Sequence, residues 1–196
     1  MTNSYSEREV DVLKEVINIG GGHVATCLSK MFEKRVDMEV PVINHMIYEE
    51  VFEHFRPAEE VVKAVQVQIC GDMDGQFLLV MDEAGIANLD ESYSEVLEGN
   101  DELARSAMLE LANILVNQFL QAIAKLLEIS VQSSVPHLAE DMFGSLLASA
   151  YLEESQYDDR VWIFKNQFLI KDQKWDADLF FVPKPGVFED LINRLD

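Results

Sequence analysis

EVINIG (Glu15–Gly20) and ELANIL (Glu110–Leu115) carry the same polar pair, a glutamate followed three residues later by an asparagine. A proline stands 23 residues after each asparagine, at Pro41 and at Pro136. One such pair on an exposed helix is ordinary. Two pairs at one spacing indicate a shared role, because asparagine is a mediocre helix former and two in mid-helix need a reason.

The apolar residues around the two pairs repeat as well. Both stretches have the three- and four-residue spacing of an amphipathic helix, and a shift of 95 residues brings them into register. The apolar positions are Val10, Leu13, Ile17, Val24, Leu28 and Met31 in the first copy and Met108, Leu111, Leu115, Phe119, Ala122 and Leu126 in the second. Three glycines, Gly20–Gly22, interrupt the first helix and predict a close approach to another part of the protein.

Strand-like alternation follows each helix. In the first half the predicted strands are 36–43, 62–69 and 75–81, the last two forming a hairpin around a turn at 71–75. In the second half the predictions are a strand over 129–135, a short helix over 138–152, strands over 161–170 and 176–182, and a closing helix over 187–195.

This order predicts the fold class. Strands that come in runs favour α+β over a doubly wound parallel sheet. We expect an internal duplication with a pseudo-twofold axis, in which two helix-plus-strands halves share one mostly antiparallel sheet with long helices packed on it. Residues 1–196 then form a single domain made of halves of about 1–97 and 98–196.

Composition excludes several classes of protein. The 196 residues include 36 Asp and Glu against 15 Lys and Arg, a net charge of −21, which argues against nucleic-acid binding. Cys27 and Cys70 form no metal-ligand pattern and no disulfide framework. The sequence has no signal peptide and no uninterrupted apolar run of the roughly 18 residues that a membrane helix needs. We expect a cytoplasmic protein without a membrane segment.

The polar pairs fall on stripes opposite the apolar faces. The first stripe contains Asp11, Glu15, Asn18, Gly22 and Ser29, and the second contains Ser106, Glu110, Asn113 and Asn117. Gly22, Ala25 and Ser29 are small, so we expect that a backbone or another protein could approach the first stripe closely.

The two segments DVLKEVINIGGGHVATCLSKM (11–31) and SAMLELANILVNQFLQAIAKLL (106–127) resemble the CheC family of chemotaxis phosphatases. That family carries, twice, an Asp or Ser, three residues, a Glu, two residues, an Asn, and a proline about two dozen residues on. The resemblance extends to GDMDGQFLLV (71–80), EDMFGSLLASA (140–150) and FFVPKPGVFEDLINRL (180–195). The first copy departs from it after the motif, where Gly20-Gly21-Gly22-His23 replaces a Gly-Ala-Gly-Asn type stretch.

The resemblance implies an enzyme that hydrolyses the aspartyl phosphate of a CheY-like response regulator. Asn18 and Asn113 would each orient the attacking water, and Glu15 and Glu110 would pair with the active-site lysine of the receiver. Asp11 and Ser106 would support them, and Pro41 and Pro136 would end or bend a strand. The receiver supplies its own Mg²⁺, so the resemblance implies no metal or other cofactor on this chain, and we expect it to act as a monomer.

Other functions remain open at this point. The same helix faces could bind a phosphorylated receiver, or a CheD-type receptor deamidase, as a non-catalytic adaptor. Asp141, Met142 and Gly144, at the start of the short helix, resemble the stretch where family members meet the deamidase. A flagellar switch component of the FliY type shares the module but adds a C-terminal domain, which is not expected in a chain that ends at Asp196.

Overall fold

The computed structural model describes residues 7–31, 33–39, 42–81, 100–153, 160–170 and 173–194. The helices are α1 (Glu7–Met31), α2 (Tyr48–His54), α3 (Asp101–Leu127), α4 (Phe143–Glu153) and α5 (Val187–Asn193). The strands are β1 (Val36–Met38), β2 (Val42–Ile47), β3 (Val61–Gly71), β4 (Gly75–Met81), β5 (Val131–Ser133), β6 (His137–Met142), β7 (Arg160–Ile170) and β8 (Gln173–Pro183).

All eight strands form one antiparallel sheet in the order β1-β7-β8-β4-β3-β5, with β2 beside β1 on β7 and β6 beside β5 on β3. A long helix, two short strands, a short helix and a hairpin follow one another twice along the chain. The short strands of the first half pair with β7 of the second, and those of the second pair with β3 of the first. Neither set of short strands therefore pairs within its own half.

Helices cover both faces of the sheet. In β4, Phe77 and Leu79 point into the core under α1 and α3, whereas Leu78 and Val80 point into a second core under α2 and α4. All four side chains are buried, as expected for a central strand with period-two geometry. The predicted α+β class, with long helices on a mostly antiparallel sheet, is confirmed.

Helices α1 and α3 pack against each other through the glycine run. A side-chain carbon added at Gly20 would lie 2.8 Å from Cδ2 of Phe119, so this glycine lets the aromatic ring of α3 approach the backbone of α1. Gly22 differs, because nothing lies within 4 Å of the corresponding position. The predicted close approach is found at Gly20, and Gly22 faces open space.

Helix α3 carries clear end signals. The side chain of Asn100 accepts a hydrogen bond from Leu103 N at 3.1 Å, and Glu128 ends the helix with a left-handed φ of 52°. By length and composition α3 is the one described helix that could cross a membrane, but half of its apolar window is buried inside the protein. The core helix of a soluble protein passes the same test, and α3 packs on the sheet in that way.

The turn at 71–75 joins β3 and β4 as predicted. The two aspartates of this turn bind basic side chains near the C-terminal end of the chain. Asp74 accepts a hydrogen bond from Lys184 Nζ at 2.9 Å, which holds the pKa of its carboxyl below the usual range. Asp72 accepts one from Arg194 at 3.0 Å and another from Ser130 N at 2.9 Å. Both carboxylates therefore serve the fold.

Three sequence predictions are wrong in detail. Residues 138–142, predicted as helix, form β6, because their backbone pairs with β3; the helix begins at Phe143, whose N–H bonds to Glu60 O at 2.8 Å. Helix α2 was missed inside a predicted loop; it is held by one buried residue, Val51, and by aromatic contacts of Tyr48 and Phe52.

The third error concerns helix faces. Leu126, placed on the apolar face of α3, is 46% exposed, and Leu127 and Ile123 are buried in its place. Ala25, placed on the open stripe of α1, is 7% exposed and lies in the core. A 100° step accumulates error over a long helix, so predicted faces become unreliable toward its end. The predicted boundary between the halves, near residues 97 and 98, and Pro41 lie outside the described residues.

Candidate functional site

The first motif lies on the outer side of α1. Asp11, Glu15 and Asn18 are all exposed, while Ile17 between them is buried in the core. Lys14 Nζ lies 3.2 Å from Asp11 Oδ1, an exposed pair three residues apart, of a kind that contributes only about 0.2–0.5 kcal/mol. Asp11, Glu15 and Asn18, here called the α1 site, follow one helical stripe as predicted.

The second motif occupies the matching stripe of α3. Ser106 and Glu110 are exposed, and Asn113 is partly buried between the buried residues Ala112 and Leu115. Ser106, Glu110 and Asn113 are here called the α3 site. Within the described part of the chain, no hydrogen bond or ion pair joins the α1 site to the α3 site.

Asn113 is held by a neighbour one turn further along α3. Asn117 Nδ2 donates to Asn113 Oδ1 at 2.7 Å and to the Asn113 carbonyl oxygen at 2.8 Å. Ser133 Oγ, on β5, donates in turn to Asn117 Oδ1 at 2.9 Å. The hydrogen-bonded chain from the strand to the helix therefore ends on the amide of the motif.

The α1 site has no such support. The residue one turn after Asn18 is Gly22, which has no side chain and is exposed. Helix α1 is tied to its strand elsewhere: the Ser29 hydroxyl accepts from Val36 N at 3.0 Å and donates to Ala25 O at 2.7 Å. The side chain of Asn18 makes no hydrogen bond to any other described residue.

Of the two prolines that follow the motifs, only Pro136 lies within the described residues. Pro136 stands between β5 and β6, where the chain leaves one short strand and enters the next along the same edge of β3. Proline fits there because it has no N–H to donate to a ladder. This position agrees with the structural role that was expected.

Histidines and cysteines form no cluster. His45 stacks on Trp162 with ring centroids 4.3 Å apart, His54 Nδ1 lies 3.0 Å from Glu50 O, and His23 is exposed on α1. Cys27 and Cys70 are free. Among the residues that the structure describes, no group of three or more His, Cys, Asp or Glu could hold a metal ion.

The residues assigned to a deamidase surface are not all alike. Asp141 and Met142 lie at the end of β6, which pairs only with β3 among the described strands, and Met142 is 45% exposed. Gly144 lies in α4 against Ala58: its N–H bonds to Ala58 O at 2.9 Å, and an added side-chain carbon would lie 3.0 Å from Ala58 Cβ. Asp141 and Met142 are open to a partner, whereas Gly144 serves packing.

Two residues that support the α3 site were not assigned a role from the sequence. Asn117 stood on the predicted polar stripe without a role, and Ser133 was hidden in the strand-like segment ISVQSSV. A small hydroxyl at an inward position of a short strand, opposite a helix asparagine, was the available signal. The contact itself depends on how α3 sits on β5, which the sequence pattern does not determine.

Comparisons with known proteins show which proteins this chain resembles. The sequence model of the CheC-like family matches residues 9–45, which contain the α1 site. The chain is 29% identical to the CheY-P phosphatase CheC of Bacillus subtilis, over 98% of this chain and 96% of that protein. The α3 site is thus included in the aligned length.

Solved structures with the same fold include FliY and the middle domain of FliM. Thermotoga maritima FliY superposes with a TM-score of 0.73 at 20% identity, over 99% of this chain and 98% of that one. The FliM middle domain of H. pylori superposes with a TM-score of 0.68 at 6% identity, over 97% and 99%. At these identities the likeness shows the fold alone. In its motif and over nearly its full length, the chain is therefore similar to CheC-like proteins.

Proposed function

We propose that this protein is a phosphatase that hydrolyses the aspartyl phosphate of a CheY-like response regulator. The observation that carries the proposal is the pair of exposed Glu-x-x-Asn stripes, on two helices of a chain related over nearly its full length to a protein named as a CheY-P phosphatase. Among the described residues no hydrogen bond or ion pair joins the two stripes, so each can act as a docking site.

The chemistry needs few groups from this chain. An acyl phosphate is already activated, and a receiver holds its phosphoryl oxygens with its own Mg²⁺ and lysine, so the remaining task is to place a water in line with the leaving carboxylate. An amide can orient that water through hydrogen bonds without taking a proton. Asn18 and Asn113 take this role, and no cofactor is needed on this chain.

The glutamates set the docking register. Glu15 and Glu110 are exposed one turn before their asparagines, where a carboxylate can meet the lysine of the receiver. Asp11 and Ser106, a further turn back, contact the rim of the partner. Asp11 is already paired with Lys14, so its contribution is smaller.

The direct test follows decay of a phosphorylated CheY-like receiver with and without the protein. We expect faster decay that disappears when EDTA removes the Mg²⁺ of the receiver, and no hydrolysis of para-nitrophenyl phosphate, which brings no metal site of its own. Unchanged decay at saturating protein would refute the proposal. Hydrolysis of para-nitrophenyl phosphate by the pure protein would refute the borrowed-metal mechanism.

A non-catalytic adaptor is the second candidate function. It is supported by the fold shared with the FliM middle domain and by the open end of β6 at Asp141 and Met142. The decay assay separates the two, because an adaptor binds the phosphorylated receiver and leaves its lifetime unchanged.

A CheD-type deamidase is a proposed partner at the same edge. Asp141→Lys, with exposed Glu140→Lys as the matched control, should reduce deamidase binding in a titration. Equal binding by wild type and Asp141→Lys would remove this surface from the proposal.

We further propose a cytoplasmic monomer that folds as one domain of halves about 1–97 and 98–196. The exchanged short strands support this, since β1 and β2 of the first half have their pairing partner, β7, in the second. A fragment ending at residue 100 should aggregate. A soluble, cooperatively unfolding fragment would show two domains, and sedimentation of the whole chain as a dimer would exclude the monomer.

A further inference from the structure

The hydrogen-bonded chain from Ser133 through Asn117 to Asn113 fixes which way each amide faces. Asn117 Nδ2 lies 2.8 Å from the Asn113 carbonyl oxygen, which can only accept, so the atom at that position must be the nitrogen. The Asn113 atom 2.7 Å from the same nitrogen must then be an oxygen. The Ser133 hydroxyl, 2.9 Å from the other branch of Asn117, completes the assignment as a donor.

This assignment leaves a defined set of free groups on Asn113. One lone pair of Oδ1 is taken by Asn117, while the second lone pair and both N–H bonds of Nδ2 remain for a ligand. The Nδ2 group lies on the branch of the amide that does not face Asn117. The Asn113 side chain is therefore held in one orientation, in which the positions of its acceptor oxygen and its donor nitrogen are fixed.

The α1 site lacks both supporting members of this chain. Gly22 stands where α3 has Asn117, and shifting Ser133 by the same 95 residues gives Met38. The side chain of Asn18 is exposed and makes no hydrogen bond to another described residue, so no such bond holds it in one rotamer. The two motifs have the same spacing in sequence, but a neighbouring side chain holds only the asparagine of the second.

We propose that Asn117 and Ser133 are positioning residues that hold the Asn113 amide ready for the attacking water, and that the absence of an Asn117 equivalent makes the α1 site slower. This inference rests on the proposed phosphatase function and assigns it two further residues. Neither residue needs to touch the receiver.

The first experiment removes the Asn117 amide in a protein whose α1 site has been inactivated. In an Asn18→Ala background, Asn117→Ala should lower kcat for receiver dephosphorylation by about two- to tenfold, because an untethered side chain divides its time among about three rotamers and only one is productive. KM should stay constant, since Glu110 is untouched. Ser133→Ala should lower kcat less, and Ser133→Thr, which keeps the hydroxyl, should restore it.

The second experiment builds the support where it is missing. In an Asn113→Ala background, Gly22→Asn should raise kcat of the α1 site, because the position has open space around it and offers the amide that α3 has. Gly22→Ala is the matched control: it brings a larger gain in helix propensity than asparagine but no amide, and kcat should stay unchanged. A gain of activity cannot come from loss of structure.

A third measurement does not depend on turnover. The side-chain amide of Asn113 should give a rigid ¹⁵N signal in the wild-type protein and a mobile one in Asn117→Ala, while thermal unfolding of the two proteins remains similar. If Asn113→Ala lowers turnover and Asn117→Ala changes neither kcat nor the amide signal, the inference is wrong and the phosphatase proposal stands. If Asn113→Ala and Asn18→Ala change nothing, the phosphatase proposal itself fails.

Discussion

Helices α1 and α3 carry the same motif but differ in the second to fourth residues after the motif asparagine. Gly20–Gly22 of α1 correspond to Leu115–Asn117 of α3 when the chain is shifted by 95 residues. At the first position the glycine is required, because Phe119 of α3 packs on its backbone. At the third it is not, because Gly22 faces open space where α3 has the amide that holds Asn113.

This difference shows that helix packing and support of the motif asparagine depend on different positions of the glycine run. Close contact between the two helices needs a small residue on one side only, and α1 supplies it at Gly20. The bulk comes from α3, whose Leu115 and Phe119 are buried in the shared core. The missing amide at position 22 is therefore a property of the α1 site and no consequence of helix packing.

The largest expected effect is on binding of the phosphorylated receiver, for which each site supplies one glutamate. Replacing Glu15 and Glu110 together by lysine should weaken binding of the phosphorylated receiver about tenfold or more, since like charges then face the lysine of the receiver. Binding is measured by titration at fixed salt, because exposed charges are screened. The matched control is Glu53→Lys with Glu59→Lys, which changes net charge equally at exposed positions around α2. Equal weakening in the control would mean that only net charge matters.

The next effect concerns the inequality of the sites. Asn113→Ala should remove more than half of the receiver dephosphorylation activity, and Asn18→Ala less than half, because only Asn113 is held by a neighbouring side chain. The measurement is kcat of each variant with one receiver. Equal losses, or a larger loss from Asn18→Ala, would contradict the comparison of the two helices.

A smaller effect separates the glycines by stability. Gly20→Ala should lower the free energy of unfolding by about 1 kcal/mol, because overpacking against Phe119 costs about 1–3 kcal/mol and alanine returns about 1 kcal/mol in helix propensity. Gly22→Ala should raise it by up to about 1 kcal/mol, since its side chain meets nothing. Urea unfolding measures both. Similar values for the two variants would show that α1 does not depend on the contact at Gly20.

The smallest expected effect is on stability and concerns the ion pair between Asp74 in the first half and Lys184 in the second. Lys184 lowers the pKa of Asp74, so the pair stabilises the fold above the ordinary carboxyl pKa and loses this contribution as pH falls through the lowered value. Asp74→Asn should therefore reduce stability near neutral pH, by less than about 1 kcal/mol because the pair is partly exposed. The difference from wild type should vanish in acid. A difference that persists at low pH would assign it to packing.

Much of the fold could be predicted because its signals are local. The β3–β4 hairpin follows from alternation and a turn with two glycines, and the faces of α1 and α3 follow from apolar spacing near the helix centres. Strand β6 could not be found in this way. Its residues Leu138–Asp141 include good helix formers, and only pairing with β3, distant in sequence, makes them a strand.

The site shows the same limit. The stripe of Glu110, Asn113 and Asn117 follows from helical spacing alone, so the exposed motif was predictable. The hydrogen bond from Ser133 was not, because it joins a helix to a strand that is separated from it by a turn and by packing. What the sequence conveys least well is which polar residue supports another, and that support distinguishes the two sites.

The most direct test of the central claim is the rate at which a phosphorylated CheY-like receiver decays in the presence of the Asn18→Ala, Asn113→Ala double variant. With both water-orienting amides gone, we expect decay at the intrinsic rate of the receiver, since displacing an attacking group by about 1 Å can cost on the order of 10²-fold. Receiver binding should persist through Glu15 and Glu110, and unfolding should shift by no more than about 0.5 kcal/mol per site. A double variant that still accelerates decay as the wild type does, or that loses activity only because it unfolds, would contradict the account.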